Sequence, residues 1–173
     1  MPRIHRATLW TLALAGVLGF AKPDIEPVKV ALIAEYASIQ PGGTTRVGVL
    51  FELEDGWHIY ADNPGDAGIP TKVRWIVPRE VTVGPLAWPA PKQFDDPGDI
   101  KTFGYSGRVV LASELRLTDT AKLDEPISVA AQVEWLACHD ICIPGKTELQ
   151  LRLPVSDAHP SLSGQANLFD RTG

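Results

Sequence analysis

The sequence predicts an all-β fold, an immunoglobulin-like antiparallel β-sandwich, and three observations carry that prediction. Apolar and polar residues alternate with a period of two through most of the chain. These short alternating segments are separated by glycine- and proline-rich turns at fairly even spacing, and no segment after the N-terminus sustains the i, i+3, i+4, i+7 pattern of a helix. The 173 residues, 45% hydrophobic and 21% charged, suit one globular domain and exclude a multidomain assembly.

In chain order, the first alternating run covers 28–35. In the second, Thr45, Val47, Val49, Phe51 and Leu53 oppose Arg46, Gly48 and Glu52. Further strands are expected at 57–60 and 72–77, then where Val109, Leu111, Leu115 and Leu117 oppose Arg108, Glu114 and Arg116, and finally at 127–136 and 147–153. Gln40-Pro41-Gly42-Gly43, Asp55-Gly56, Asn63-Pro64-Gly65-Asp66 and Asp96-Pro97-Gly98-Asp99 supply the turn chemistry between them. The rhythm breaks at 62–70 and again from Trp88 to Tyr105, and the second break is long enough to suggest a lid or rim. After residue 155 the chain becomes polar and patternless, and a frayed tail or one short helix is expected over 156–173.

Residues 1–21 have the layout of a secretory signal: Arg3 and Arg6, an apolar stretch from Leu9 to Phe20, and a small-residue exit at Ala21. Cleavage there leaves 22–155 as the domain, in an exported, periplasmic setting, whereas an uncleaved anchor would need a longer span. No later apolar run approaches the roughly 20 residues of a membrane-spanning helix, so no span is expected in the mature chain. Losing the two arginines moves the net charge from −5 to −7, with 14 basic and 21 acidic side chains left, which argues against a nucleic-acid partner.

The two cysteines both lie in Cys138-His139-Asp140-Ile141-Cys142. Outside the cytosol such a pair tends to oxidise. In an unbroken strand their α-carbons would be about 13 Å apart, whereas a disulfide needs about 4.4–6.8 Å, so the chain must turn between them. Alternation on both sides places the pair at the mouth of a hairpin, with Cys138 closing one strand and Cys142 opening the next. Closing a five-residue loop removes only about 2 kcal/mol of chain entropy, a weak reason for a purely structural bridge and a better one for an exchangeable disulfide. Two other readings stay open on the residues alone. One is a non-catalytic binding module with a structural disulfide. The other is a copper- or zinc-handling site on Cys138, His139 and Cys142, with only His58 and His159 left to complete it. His139 is expected as an exposed turn residue that could help hold a neighbouring thiolate, which Asp140 would oppose. Trp57, Trp75 and Trp135 are read as core residues, and Asp95, Asp96 and Asp99 as a solvated turn rather than a calcium cluster.

Four segments then resemble a known family. They are Gly56-Trp57-His58-Ile59-Tyr60 with Asn63-Pro64-Gly65-Asp66, Trp88-Pro89-Ala90-Pro91, Phe103-Gly104-Tyr105-Ser106-Gly107, and the stretch from Trp135 to Gly145 that holds the cysteines. In this order, over about residues 30–154, the chain resembles the N-terminal periplasmic domain of the thiol:disulfide interchange protein DsbD and related disulfide correctors.

The resemblance implies a sandwich with a cap loop over the cysteine pair, here from about Phe94 to Tyr105. It implies electron transfer from a thioredoxin-like domain or a membrane electron-transfer protein to oxidised periplasmic proteins, with no cofactor and no metal. Cys142 would form the mixed disulfides and Cys138 would resolve them, while Phe94, Asp95, Phe103, Tyr105 and His139 would line the rim. Packing in the core is the competing reading for Phe103 and Tyr105. The segment between the cysteines is shorter than in the best-known members. The membrane conduit and thioredoxin-like domain are not within the 173 residues, so they are expected as separate proteins unless the domain works outside that pathway.

Overall fold

The computed structural model describes residues 26–123 and 125–171, so the predicted signal segment lies outside the described residues. Among the described residues, ten strands form two antiparallel sheets. The first sheet joins β1 (Val28–Ala34), β2 (Thr44–Leu53), β8 (Arg108–Leu117) and β5 (Val81–Val83) in the order β1-β2-β8-β5. The second contains β3 (His58–Gly65), β4 (Lys72–Ile76), β6 (Lys92–Asp96), β7 (Ile100–Ser106), β9 (Ile127–Cys138) and β10 (Cys142–Leu153). Its order is β10-β9-β3-β7-β6, and β4 also pairs with β9. This is the predicted immunoglobulin-like sandwich.

The core follows from the alternation. Thr45, Val47, Val49, Phe51 and Leu53 of β2 are all buried, as are Val109, Leu111, Leu115 and Leu117 of β8. They meet Ile59, Tyr105, Val129, Ala131, Val133 and Ala137 of the other sheet across the interior. Trp57, Trp75 and Trp135 are partly buried against this core, with the Trp135 ring edge-on to Phe51 at 5.9 Å.

The structure differs from the sequence reading in its strand boundaries. β3 runs on to Gly65, into the stretch that breaks the alternation, through a register shift after Tyr60. β5 is only three residues long, too short to show a period. The stretch from Trp88 to Tyr105 is largely a β-hairpin, β6 and β7, turning at Asp96-Pro97-Gly98-Asp99 with positive φ at Gly98 and Asp99. Its period is hidden because one face carries Thr102, Gly104 and Ser106, none of them an apolar marker.

Residues 156–170 pack onto the domain. Ser163 N–H donates to the Glu35 carbonyl at 2.8 Å and its hydroxyl to the Ala34 carbonyl at 2.6 Å, and a 3-10 helix follows at Ala166–Arg171. Phe169 of this helix is fully buried among Ile33, Leu50, Val110 and Ala112, on the outer face of the first sheet. Gly48 makes the room, since a Cβ there would lie 3.1 Å from the Phe169 ring and closer still to Val110. Arg46 stacks over Phe169 at 5.2 Å, donates to its carbonyl at 3.0 Å and forms a two-pronged pair with Glu35 at 2.7 and 2.9 Å. A face that alternation alone assigns to solvent is thereby covered.

Phe169→Ala should lower the unfolding free energy by about 3–5 kcal/mol, the usual cost of emptying a buried aromatic site. Urea denaturation measures it; a loss below about 1 kcal/mol would mean that the C-terminal segment does not hold this face.

Candidate redox site

β9 and β10 are paired along their whole length, in a register that sets Cys138 directly opposite Cys142. The two are joined by a disulfide with their α-carbons 4.1 Å apart, slightly closer than the usual range of about 4.4–6.8 Å. Three residues make the turn, closed by a hydrogen bond from His139 N–H to the Ile141 carbonyl at 3.0 Å. The turn rests on the β2–β3 connection, where Gly56 leaves space for the His139 ring and Trp57 lies 6.0 Å from it. His139 Nδ1 faces the Asp140 carboxylate at 3.0 Å.

The sulfur pair is asymmetric. Cys138 is 3% exposed, whereas Cys142 is exposed on the edge strand. Cys138 is buried because β9 is flanked on its other side by β3, which pairs His58 with Cys138 and Ile59 with Ala137. Directly paired residues share a sheet face, so Cys142, Cys138, His58 and Ser106 form one row across β10, β9, β3 and β7.

Tyr60 stands on the same face as His58, and the two rings meet edge to face at 5.2 Å. The β6–β7 hairpin brings Phe94 over the imidazole, with the rings stacked at 4.3 Å. The loop after β3 closes over Tyr60 at Gly68, where the phenol ring leaves no room for a Cβ. His58 is only 6% exposed, and its Nε2 is buried with no hydrogen-bond partner. Burial holds its pKa below the usual imidazole value, against the opposing pull of Asp96 and helped by His139. Burial, reinforced by Asp96, raises the Tyr60 phenol.

The residues expected at the rim fall in different places. Phe94 lies on the cysteine face, over His58. Asp95 is exposed and accepts from Gln93 Nε2 at 2.9 Å. Tyr105 alternates to the opposite face, pairs with Ile59 and belongs to the core between the sheets. Its hydroxyl donates to the Pro89 carbonyl at 2.8 Å, and burial, with a smaller contribution from Asp62, pushes its pKa up to about 12. Phe103 is partly buried beside Gly65, where an added Cβ would come within 3.0 Å of the ring. His139 sits exposed at the turn, as expected. His58 and Tyr60 are the neighbours that composition did not single out, although their alternation with Ile59 places them opposite the core.

The family model for the N-terminal part of the thiol:disulfide interchange protein DsbD matches residues 24–154. Among solved structures, the N-terminal periplasmic domain of ScsB from Proteus mirabilis superimposes with a TM-score of 0.59 at 23% identity, over 88% of this chain. The chain spans 57% of that structure's length, and the likeness is one of fold. The N-terminal domain of DsbD from Neisseria meningitidis, in its reduced form, aligns with a TM-score of 0.33 at 14% identity, over 76% of this chain and 90% of that one. No curated protein matches the chain.

The raised Tyr105 pKa means that the folded state favours the neutral phenol. That contribution is complete below pH 10 and is lost as pH rises toward about 12. Tyr105→Phe, which cannot ionise, should lose less stability than the parent over this window in urea unfolding at several pH values. Equal losses would place the phenol in water.

Proposed function

The chain belongs to the family of DsbD N-terminal domains, and from that premise we propose that it is an exported thiol:disulfide exchange module whose Cys138–Cys142 pair cycles between disulfide and dithiol. A thioredoxin-like domain or a membrane electron-transfer protein is the donor, and oxidised periplasmic proteins are the acceptors. The observation that carries this reading is the asymmetry within one cross-strand pair, an exposed Cys142 bonded to a buried Cys138.

A thiolate of the donor attacks Cys142 Sγ, the Cys142–Cys138 bond breaks, and Cys138 Sγ leaves as a thiolate that takes up a proton. The donor's second thiol displaces Cys142 from the mixed disulfide, so the donor ends oxidised and the pair reduced. Cys142 then attacks a disulfide of the acceptor, Cys138 closes back on Cys142, and two electrons have moved to the acceptor. Attack at Cys142 is favoured because its sulfur lies on the edge strand, whereas Cys138 is enclosed by β3. The arch of Phe94 over His58 supports a shielding role for the β6–β7 hairpin on the inner side of the pair.

Cys138→Ser, activated at Cys142 as its mixed disulfide with nitrothiobenzoate, should accumulate a mixed disulfide with a thioredoxin-like donor lacking its own resolving cysteine, at least tenfold more than Cys142→Ser activated in the same way at Cys138 does. Non-reducing gels and mass spectrometry read the adduct, and equal trapping by the two variants would overturn the assigned roles. Equilibration with thioredoxin-like redox buffers should give a potential of about −180 to −270 mV, whereas a value well below about −300 mV would mark the bridge as structural.

A further inference from the structure

Resting on the exchange reading, we propose that His58 is the proton acceptor for Cys138: its buried Nε2 takes the thiol proton as the Cys138 sulfur closes back on Cys142. Three features of the site carry the assignment. His58 is the direct cross-strand partner of Cys138, on the side away from Cys142, so imidazole and sulfur share one face of the sheet. Cys138 is 3% exposed, so bulk water is a poor acceptor for its proton. The Nε2 atom is buried without a hydrogen-bond partner, a costly state for a polar atom. In the disulfide form the neighbouring sulfur has no proton to donate; in the dithiol form it does, and the unpartnered nitrogen gains its donor.

With Cys142 bonded to the acceptor's sulfur, Cys138 Sγ–H gives its proton to Nε2 and attacks Cys142 Sγ. The Cys138–Cys142 bond forms, and the bond to the acceptor breaks. The acceptor's sulfur leaves with the electron pair, and the imidazolium then releases its proton to that thiolate or to solvent. In the reverse direction the imidazolium protonates the departing Cys138 thiolate.

The groups facing His58 suit this task. Tyr60 from its own strand and Phe94 from β6 enclose the ring, Asp96 of β6 favours the imidazolium, and His139 of the turn opposes it. Lys92 of β6 is held at 3.2 Å by the Ser106 hydroxyl, the His58 partner on β7. Burial keeps the resting imidazole neutral at pH 7 and so able to accept.

Reaction of the reduced domain with the aromatic disulfide dithiobis(nitrobenzoate) separates the two steps. One equivalent of coloured thiolate reports attack by Cys142, and the second reports closure by Cys138. His58→Phe keeps an aromatic ring against Phe94 and Tyr60. It should leave the first phase within about twofold and slow the second about 10²-fold at pH 7. The parent's second phase should also fall with pH through the imidazole titration, an inflection that His58→Phe lacks. An unchanged second phase, or equal slowing of both phases, would overturn the assignment. Absence of any thiolate release from the parent would instead defeat the exchange reading beneath it. A second measurement needs no variant: the His58 Nε2 resonance in nitrogen NMR should shift on reduction of the disulfide while that of His159 stays in place, and an unmoved His58 resonance overturns the proposal.

Discussion

The register of β9 is the constraint on which the rest of the site depends. This strand pairs with β10 along one edge and with both β3 and β4 along the other. Its even positions near the end face the cysteine side, while Val129, Ala131, Val133 and Ala137 enter the core. A slip of one residue would carry Cys138 into the interior and turn Ala137 outward, so the hydrophobic demand of the core fixes the position of the sulfur. The hairpin register then sets Cys142 opposite it at bonding distance.

The same arrangement makes two chemically identical sulfurs unequal. β10 is an edge strand and β9 an interior one, so one cysteine meets solvent and the other is covered by its neighbours. No charged side chain is needed to create this difference; strand order alone does so. The aromatic cover extends it, since Phe94, His58 and Tyr60 form a contiguous group of rings on the inner side of the row. An imidazole placed there cannot remain hydrated, which is why its charge is suppressed.

The C-terminal segment solves a separate problem in the other sheet. β2 and β8 carry apolar residues on both faces, so one face would expose Leu50, Val110 and Ala112. Phe169 and the Arg46–Glu35 pair cover it, tying the chain end to the sheet remote from the cysteines. Fold stability and redox chemistry are in this way supported from opposite faces of the sandwich.

Much of this was legible in the chain. Period-two alternation identifies the long strands because a half-buried sheet face must be apolar at every second position. The short spacing of Cys138 and Cys142 between two alternating runs requires a turn, and the four family segments point to DsbD N-terminal domains. Other features had no local signal. β6 and β7 carry threonine, glycine and charge on one face, so no apolar period marks their hairpin, and its place in the sheet depends on β3, distant in sequence. Tyr105 and Phe94 look alike as cap aromatics, yet strand parity sends one to the core and the other over His58. His58 became a neighbour of Cys138 only when residues 80 positions apart were paired. The sequence by itself determined the periodicity, the turns and the bridge chemistry, because these depend on residues close along the chain. Only the tertiary structure decided which sulfur is buried, which ring covers it and where Phe169 docks, because those outcomes depend on strand order and on contacts between distant segments.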